Sequence, residues 1–190
     1  MNSTFAPLLS YPVPSHLAPA LITHFNSSAA YRLHPSVPSL LARLRTHPTF
    51  TTHLIGIISN SDPRVPFIIR SLGLNIRSYK TTAPSSSTAC NVDHKLDDTP
   101  GRNGMIDFLT LSYDVGYEKP EKEVFIAAEE EARQVVLTDG GGGEGEWTKV
   151  HVGDDLKKDV EAAEGAGWKG VWWDDGPTAD SGLREYLDSM

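Results

Sequence analysis

Apolar positions along the chain alternate between two spacings. Val37, Leu40, Leu41 and Leu44 recur at i, i+3, i+4 and i+7, which predicts an amphipathic helix. Leu54-Ile55-Gly56-Ile57-Ile58 is a short apolar run of the kind a strand buried on both faces shows. It ends in Ser59-Asn60-Ser61-Asp62-Pro63, polar capping residues followed by Pro that signal a helix start. Val65, Ile68, Ile69 and Leu72 return to helical spacing, and Gly73 closes that helix. Ile106–Leu111 predicts a second strand. Lys119-Pro120 opens a helix expected to reach about Arg133. Val150-His151-Val152 predicts a third strand, ending in Gly153-Asp154-Asp155. Leu156, Val160 and Ala163 mark the next helix, Val171-Trp172-Trp173 a fourth strand, and residues 181–188 a last helix. Two segments bury little: 80–104 is rich in Ser, Thr, Pro and Gly, and 138–147 (TDGGGGEGEW) is a glycine run; both are expected to be flexible insertions.

Strands alternating with helices imply parallel βαβ units, so the expected class is α/β: a Rossmann-like three-layer sandwich with a parallel sheet. In such sheets ligands bind beyond the carboxyl ends of the strands. Three strands carry polar residues there: Ser59-Asn60, Ser112 with Asp114, and Asp154-Asp155.

With 190 residues, 39% of them hydrophobic, the chain can bury one sizeable core. A net charge of -8 argues against nucleic acid or an anionic membrane as partner. No run approaches the roughly 20 apolar residues of a membrane span. The single cysteine, Cys90, allows no internal disulfide and fits a reducing compartment. The charge is unevenly spread: all 25 acidic residues lie at or after Asp62. A mitochondrial transit peptide shares that lack of acids but wants several arginines, and the first here is Arg32. The expectation is a cytoplasmic protein, with the nucleus as alternative and mitochondrial import disfavoured. Residues 1–35 then read as a helical appendage with a loose terminus.

Ser59 and Asn60 sit between a buried strand and a helix, where a hydroxyl and convergent N–H groups suit a phosphoryl oxygen. The competing reading is that Ser61 or Asp62 simply caps the helix. Lys119 could neutralise a phosphate or a carboxylate, or could be solvated surface. Asp154 and Asp155, adjacent carboxylates at a strand end, suit Mg²⁺, a hard cation that prefers oxygen ligands; the alternative is N-capping by Asp155. Asp159 falls one turn into the helix, within reach of that loop. The glycine run lacks the Lys-Ser/Thr of a phosphate-binding loop. Asp93-His94 has no partner at ligand spacing, and nothing near Cys90 suggests activation.

Taken in order, LIGIISNSDPRV, SYDVGYEKPEKEVF and VHVGDDLKKDVEAAEGAGWKGV resemble the second, third and fourth motifs of the haloacid dehalogenase (HAD) superfamily of hydrolases. Within it the chain is most similar to the haloacid dehalogenase-like hydrolase domain-containing protein 3 type. The resemblance runs from about Tyr31 to Asp174. It implies an HAD-like core over 36–190, a remnant of a helical cap before it, and Mg²⁺-dependent phosphatase chemistry on a small phosphorylated metabolite. Ser59 and Asn60 would bind the phosphoryl group, and Lys119 would steady both nucleophile and phosphoryl charge. Asp154 would be catalytic and, with Asp155, hold Mg²⁺; Asp159 would support that loop.

The sequence departs from the family at its first motif, DxDxT, whose first Asp attacks phosphorus and whose second is the acid and base. No carboxylate precedes Asp62. The strand carrying that motif would lie between the strands of Ile57 and Val152. Without it the sheet should be incomplete, unless the strands close up or residues 4–12 fill the gap. This pattern suggests a truncated gene model or a shortened paralogue, inactive or nearly so, with a weakened Mg²⁺ site. A second expectation is a pseudoenzyme that binds a phosphorylated ligand or a protein partner. A phospho-receiver domain is a third, poorer fit, because it needs an acidic pocket on its first strand.

Overall fold

The structure, a computed structural model, describes residues 13–79, 106–141, 145–174 and 181–189. Cys90 and the Asp93-His94 pair lie outside these residues, as does the whole of 80–104.

Helix α1 (Leu17–Phe25) and a single 3₁₀ turn (Ser28–Ala30) lead into α2 (Val37–Arg45), whose Leu40 and Leu41 are buried. Strand β1 (Gly56–Ser59) is followed by α3 (Val65–Ser71), which carries Pro in its first turn, and by a three-residue strand β2 (Ile76–Ser78) that periodicity did not anticipate. Strand β3 (Ile106–Leu111) is buried along its whole length. A short helix α4 (Ser112–Val115) and the long helix α5 (Lys122–Thr138) follow. Helix α5 thus begins two residues past Pro120 and runs five residues beyond Arg133; Glu121, in extended conformation, is its N-cap, and the Lys119-Pro120 peptide is cis. Strand β4 (Val150–Gly153) leads into a short π-helix (Leu156–Glu161) continued by α6 (Ala162–Gly165). Strand β5 (Lys169–Trp172) and α7 (Ser181–Asp188) complete the order.

All strand pairs are parallel. Among the described residues they fall into a three-stranded sheet, β1-β3-β2, and a separate pair, β4-β5. Gly56 to Ser59 pair in register with Phe108 to Leu111, and Val150 to Gly153 with Lys169 to Trp172. The class expected from the sequence is the one found: parallel strands between two helical layers.

Pleating sends successive β3 side chains to opposite faces, so both need cover. Phe108 packs with Ile58 against Val124, Phe125 and Ala128 of α5. Leu109 and Leu111 pack on the other face against Ile69 of α3 and Leu41 of α2. Burying each such side chain contributes about 1.5–3 kcal/mol. Leu40, Val171, Leu183 and Leu187 form a smaller cluster that fastens α7 to β5 and α2. The carboxylate buried in this frame is paired: Asp107, 4% exposed, accepts from the Ile55 backbone N–H at 2.7 Å and meets Arg45 Nη1 at 2.7 Å. Trp147, at the far end of the glycine run, packs against the α5 cluster, with the Arg133 guanidinium 5.3 Å from its ring centre. No residue of α1 is buried. Its link to the core includes a contact from Arg64 Nη1 to Asn26 Oδ1 at 3.3 Å.

The π-helix lies directly on β5. A Cβ added at Gly170 would stand 2.6 Å from the carbonyl oxygen of Val160, a backbone atom that cannot turn aside. Gly170→Ala is therefore expected to cost about 1–3 kcal/mol, read as a lower midpoint in urea unfolding with an unchanged slope. An unchanged midpoint would mean that the π-helix and β5 are not in tight contact.

Candidate functional site

Strands β1 and β4 each end in adjacent polar residues whose tasks divide. After β1, Asp62 Oδ1 accepts from the backbone N–H of Arg64 at 3.0 Å and shapes the turn that leads into α3. Ser59 is not needed as a cap; its hydroxyl is half-buried with no hydrogen-bond partner among the described residues. After β4, Asp155 Oδ1 accepts from the backbone N–H groups of Lys157 and Lys158, at 3.0 and 2.9 Å, and caps the π-helix. Asp154 is exposed, and its carboxylate has no partner among the described residues. Its carbonyl accepts from Trp172 Nε1 at 3.2 Å.

Lys119 joins the two ends. Asn60 clasps its backbone reciprocally: Asn60 Nδ2 donates to the Lys119 carbonyl at 2.8 Å, and the Lys119 N–H donates to Asn60 Oδ1 at 2.7 Å. The side chain, 12% exposed, then crosses to donate to the Ile58 carbonyl of β1 at 3.1 Å and to Asp159 Oδ1 at 2.5 Å. An ammonium has three donors, so one is left beside the peptide that joins Ile58 to Ser59.

Asp159 is the hub. It is 4% exposed although it carries a charge. Its Oδ1 also accepts from His151 Nε2 at 3.1 Å, and its Oδ2 from the backbone N–H of Asp155 at 3.0 Å. Burial alone would push its carboxyl up, but the hydrogen bonds from Lys119, Asp155 and His151 outweigh that and hold it below the ordinary carboxylate value. A side chain at position 153 would fill the same space: a Cβ on Gly153 would lie 2.2 Å from the Asp159 Cγ. His151 sits edge-on to Phe125, ring centres 5.2 Å apart. Burial lowers its pKa, and the nearby Lys119 charge adds to the effect against the pull of Asp159. The imidazole is therefore neutral, with Nε2 carrying the proton that meets a carboxylate able only to accept.

The structure thus brings Asn60, Lys119 and Asp159 into direct contact, with Ser59 and Asp155 one link away. Asp154 stands at the rim without a bond to the others. His151 was not singled out from the sequence; the available signal was a lone polar residue between valines in a buried strand. As for a cation, no group of three or more His, Cys, Asp or Glu side chains among the described residues is placed to hold one.

Residues 116–188 match the HAD-hydrolase-like family model. The chain is haloacid dehalogenase-like in sequence and in fold. It is 31% identical over 164 residues to an uncharacterized hydrolase of Schizosaccharomyces pombe, covering 86% of this chain and 56% of that protein. It is 25% identical over 184 residues to an uncharacterized protein of Saccharomyces cerevisiae, covering 92% of this chain and 48% of that one. The chain therefore spans about half the length of these curated relatives. An HAD phosphatase from Thermococcus onnurineus has the same fold, with a TM-score of 0.53, 22% identity, and coverage of 96% of this chain and 68% of that one. No described helix of this HAD-like chain is long and apolar enough to cross a membrane.

Two outcomes follow for the hub. Asp159→Ala strands a nearly buried ammonium and is expected to cost about 3 kcal/mol in urea unfolding. Adding Lys119→Met should cost less than the sum of the two single losses, and strict additivity would show the groups to be independent. The pH dependence has one sign. The unfolded chain takes up a proton at His151 near its ordinary 6.5 while the folded chain does not. Below the ordinary 3.8 of Asp159 the same holds for the carboxyl. Stability should therefore fall as pH drops from about 7 towards 5, and fall again below about 4. His151→Gln should flatten the first stage, and a profile it leaves unchanged would assign that stage to another group.

Proposed function

We propose that this chain carries the phosphoryl-binding half of an HAD-type phosphatase site, for a small phosphorylated metabolite, and that on its own it binds phosphate without turning it over. The observation that carries the reading is the unspent donor set beside β1. Lys119 retains one N–H, Ser59 an unpartnered hydroxyl, and both lie on a backbone that the Asn60 clasp holds in place. Preorganised donors of this kind bind an anion without the cost of reorienting at each event, and a fixed cation beside them offsets charge that develops on transferring oxygens. Asp159 holds that cation in position.

What the described site does not offer is an attacking carboxylate. Asp159 spends both oxygens on hydrogen bonds, Asp155 spends one on its cap, and Asp154 is solvent-facing. No Asp or Glu precedes Asp62 in the chain. In the family chemistry Mg²⁺ neutralises phosphoryl charge. Asp154, with the second oxygen of Asp155, is the surface this chain could present to it. Such an ion keeps several of its waters and is commonly held by one or two carboxylates, which Asp154 and Asp155 would supply. The alternative reading, a pseudoenzyme that binds a phosphorylated ligand or a protein partner, shares the same pocket and differs in having binding as its end.

Calorimetry with inorganic phosphate tests the site. Binding should be measurable, weakened about tenfold by Ser59→Ala (one lost hydrogen bond of about 1.4 kcal/mol) and abolished by Lys119→Met. In parallel, para-nitrophenyl phosphate with Mg²⁺ should not turn over above background. Robust turnover that Asp154→Asn abolishes would overturn the inactive reading, and absence of phosphate binding would sink the site itself.

A further inference from the structure

A cleft of about 550 Å³ opens beside the Ser59-Asn60 loop, at the carboxyl ends of β1 and β3. Asn60, which follows Ser59 and clasps the Lys119 backbone, forms part of its wall, and Glu118, which precedes Lys119, forms another, so the cleft adjoins the Ser59 and Lys119 donors along the chain without including them. Its other walls have an unusual character. Tyr113 and Tyr117 line it with rings 54% and 47% exposed, and neither hydroxyl has a hydrogen-bond partner among the described residues. Glu118 and Glu121 line it too, with no Lys, Arg or His among the lining residues.

The charges there are not equally available. Asp62 also faces the cleft but is held by Arg64, with Nη2 to Oδ2 at 2.6 Å and Nε to Oδ1 at 2.8 Å. Glu121 accepts from the Glu118 N–H at 3.2 Å and sits at the N-terminus of α5, where the helix offsets its charge. Glu118 is different: exposed, and with no hydrogen bond or ion pair to its carboxylate among the described residues. Its neighbour Lys119 turns inward to Ile58 and Asp159. Adjacent residues thus send a cation towards the phosphoryl side and an anion towards the alcohol side.

We propose that this cleft selects a phosphomonoester whose alcohol carries an alkylammonium group, the cation seated against the Tyr113 and Tyr117 rings and the Glu118 carboxylate. Aromatic faces attract a desolvated alkylammonium, and a carboxylate beside them adds to that attraction. The same lining repels a second phosphate or a carboxylate on the substrate, which sets the specificity by exclusion as well as by attraction. This selection rests on the phosphoryl-binding reading for its other end.

Calorimetry on the full chain separates the two. Phosphocholine should bind at least tenfold more tightly than glycerol 3-phosphate at one ionic strength. Glu118→Gln and Tyr117→Ala should each cut the ratio of phosphocholine to inorganic phosphate affinity at least fivefold. Choline alone should still shift amide resonances of Tyr117 and Glu118 in an NMR titration, and sodium at equal concentration should not. Equal affinity for phosphocholine and glycerol 3-phosphate, or a preference that survives both variants, overturns the proposal. Choline binding that Glu118→Gln removes, with no binding of inorganic phosphate, would keep the cleft and overturn the phosphoryl site instead. A chain that binds neither loses both.

Discussion

The Lys119–Asp159 ion pair is the constraint on which the rest of the site depends. Both side chains are largely withdrawn from water, at 12% and 5% exposure, so neither charge is tolerable alone. Burial of a carboxylate is expensive, and here the cost is offset by satisfying it completely: an ammonium, an imidazole N–H and a backbone N–H all converge on one group. Such a group has little freedom. Its position fixes where the Lys119 ammonium lies, and the Lys119 backbone is fixed independently by Asn60. The cation is therefore held at both ends, which is what a preorganised anion site requires.

The same pair acts as a structural tie. Among the described residues β1 and β4 belong to different sheets, so no ladder of backbone hydrogen bonds joins their ends. The route between them runs from the Ile58 carbonyl through Lys119 and Asp159 to Asp155, with His151 of β4 as a side branch. Side-chain links of this kind are more easily altered than a ladder, because each depends on one protonation state. The apolar support beneath is continuous. Phe125 of α5 touches the His151 ring and belongs to the cluster that also covers Ile58 and Phe108. Polar tie and apolar floor thus meet at one histidine, whose neutrality is a consequence of that floor.

Where the sequence carried a clear period, the element was legible. Val37, Leu40, Leu41 and Leu44 lie on α2, and the unbroken apolar run of Ile106 to Leu111 is β3, buried from end to end. Strand β2 was not legible, because three residues that include Arg77 and Ser78 show no alternation; the strand exists because Ile76 is drawn against Ile106. The π-helix also escaped, since a 3.6-residue period cannot register a five-residue step. Its geometry follows from Asp155 capping one end while Gly170 admits the Val160 carbonyl at the other. In the site, Asn60, Lys119 and Asp159 were chosen by residue type and position. The sequence left Asp155 open between a Mg²⁺ ligand and a cap, and it gave no sign that Asp159 would be the buried centre. A string of carboxylates looks alike in sequence, and only packing divides it.

That division is where capping and ligand binding stop being rivals. At the ends of β1 and β4 the chain must satisfy the open N–H groups of a following helix, and one polar residue suffices for each. Asp155 does this after β4, whereas after β1 Asp62 takes the N–H of Arg64, the residue before α3, through Oδ1. Once the cap is supplied, an adjacent polar side chain has no structural debt. Burial then sets its character: Ser59 is half-buried, one residue past the carbonyl that Lys119 meets, and Asp154 is in solvent. A half-buried hydroxyl without a protein partner still reaches water, as a solvated carboxylate does, so neither is costly to retain and both stay available to a ligand.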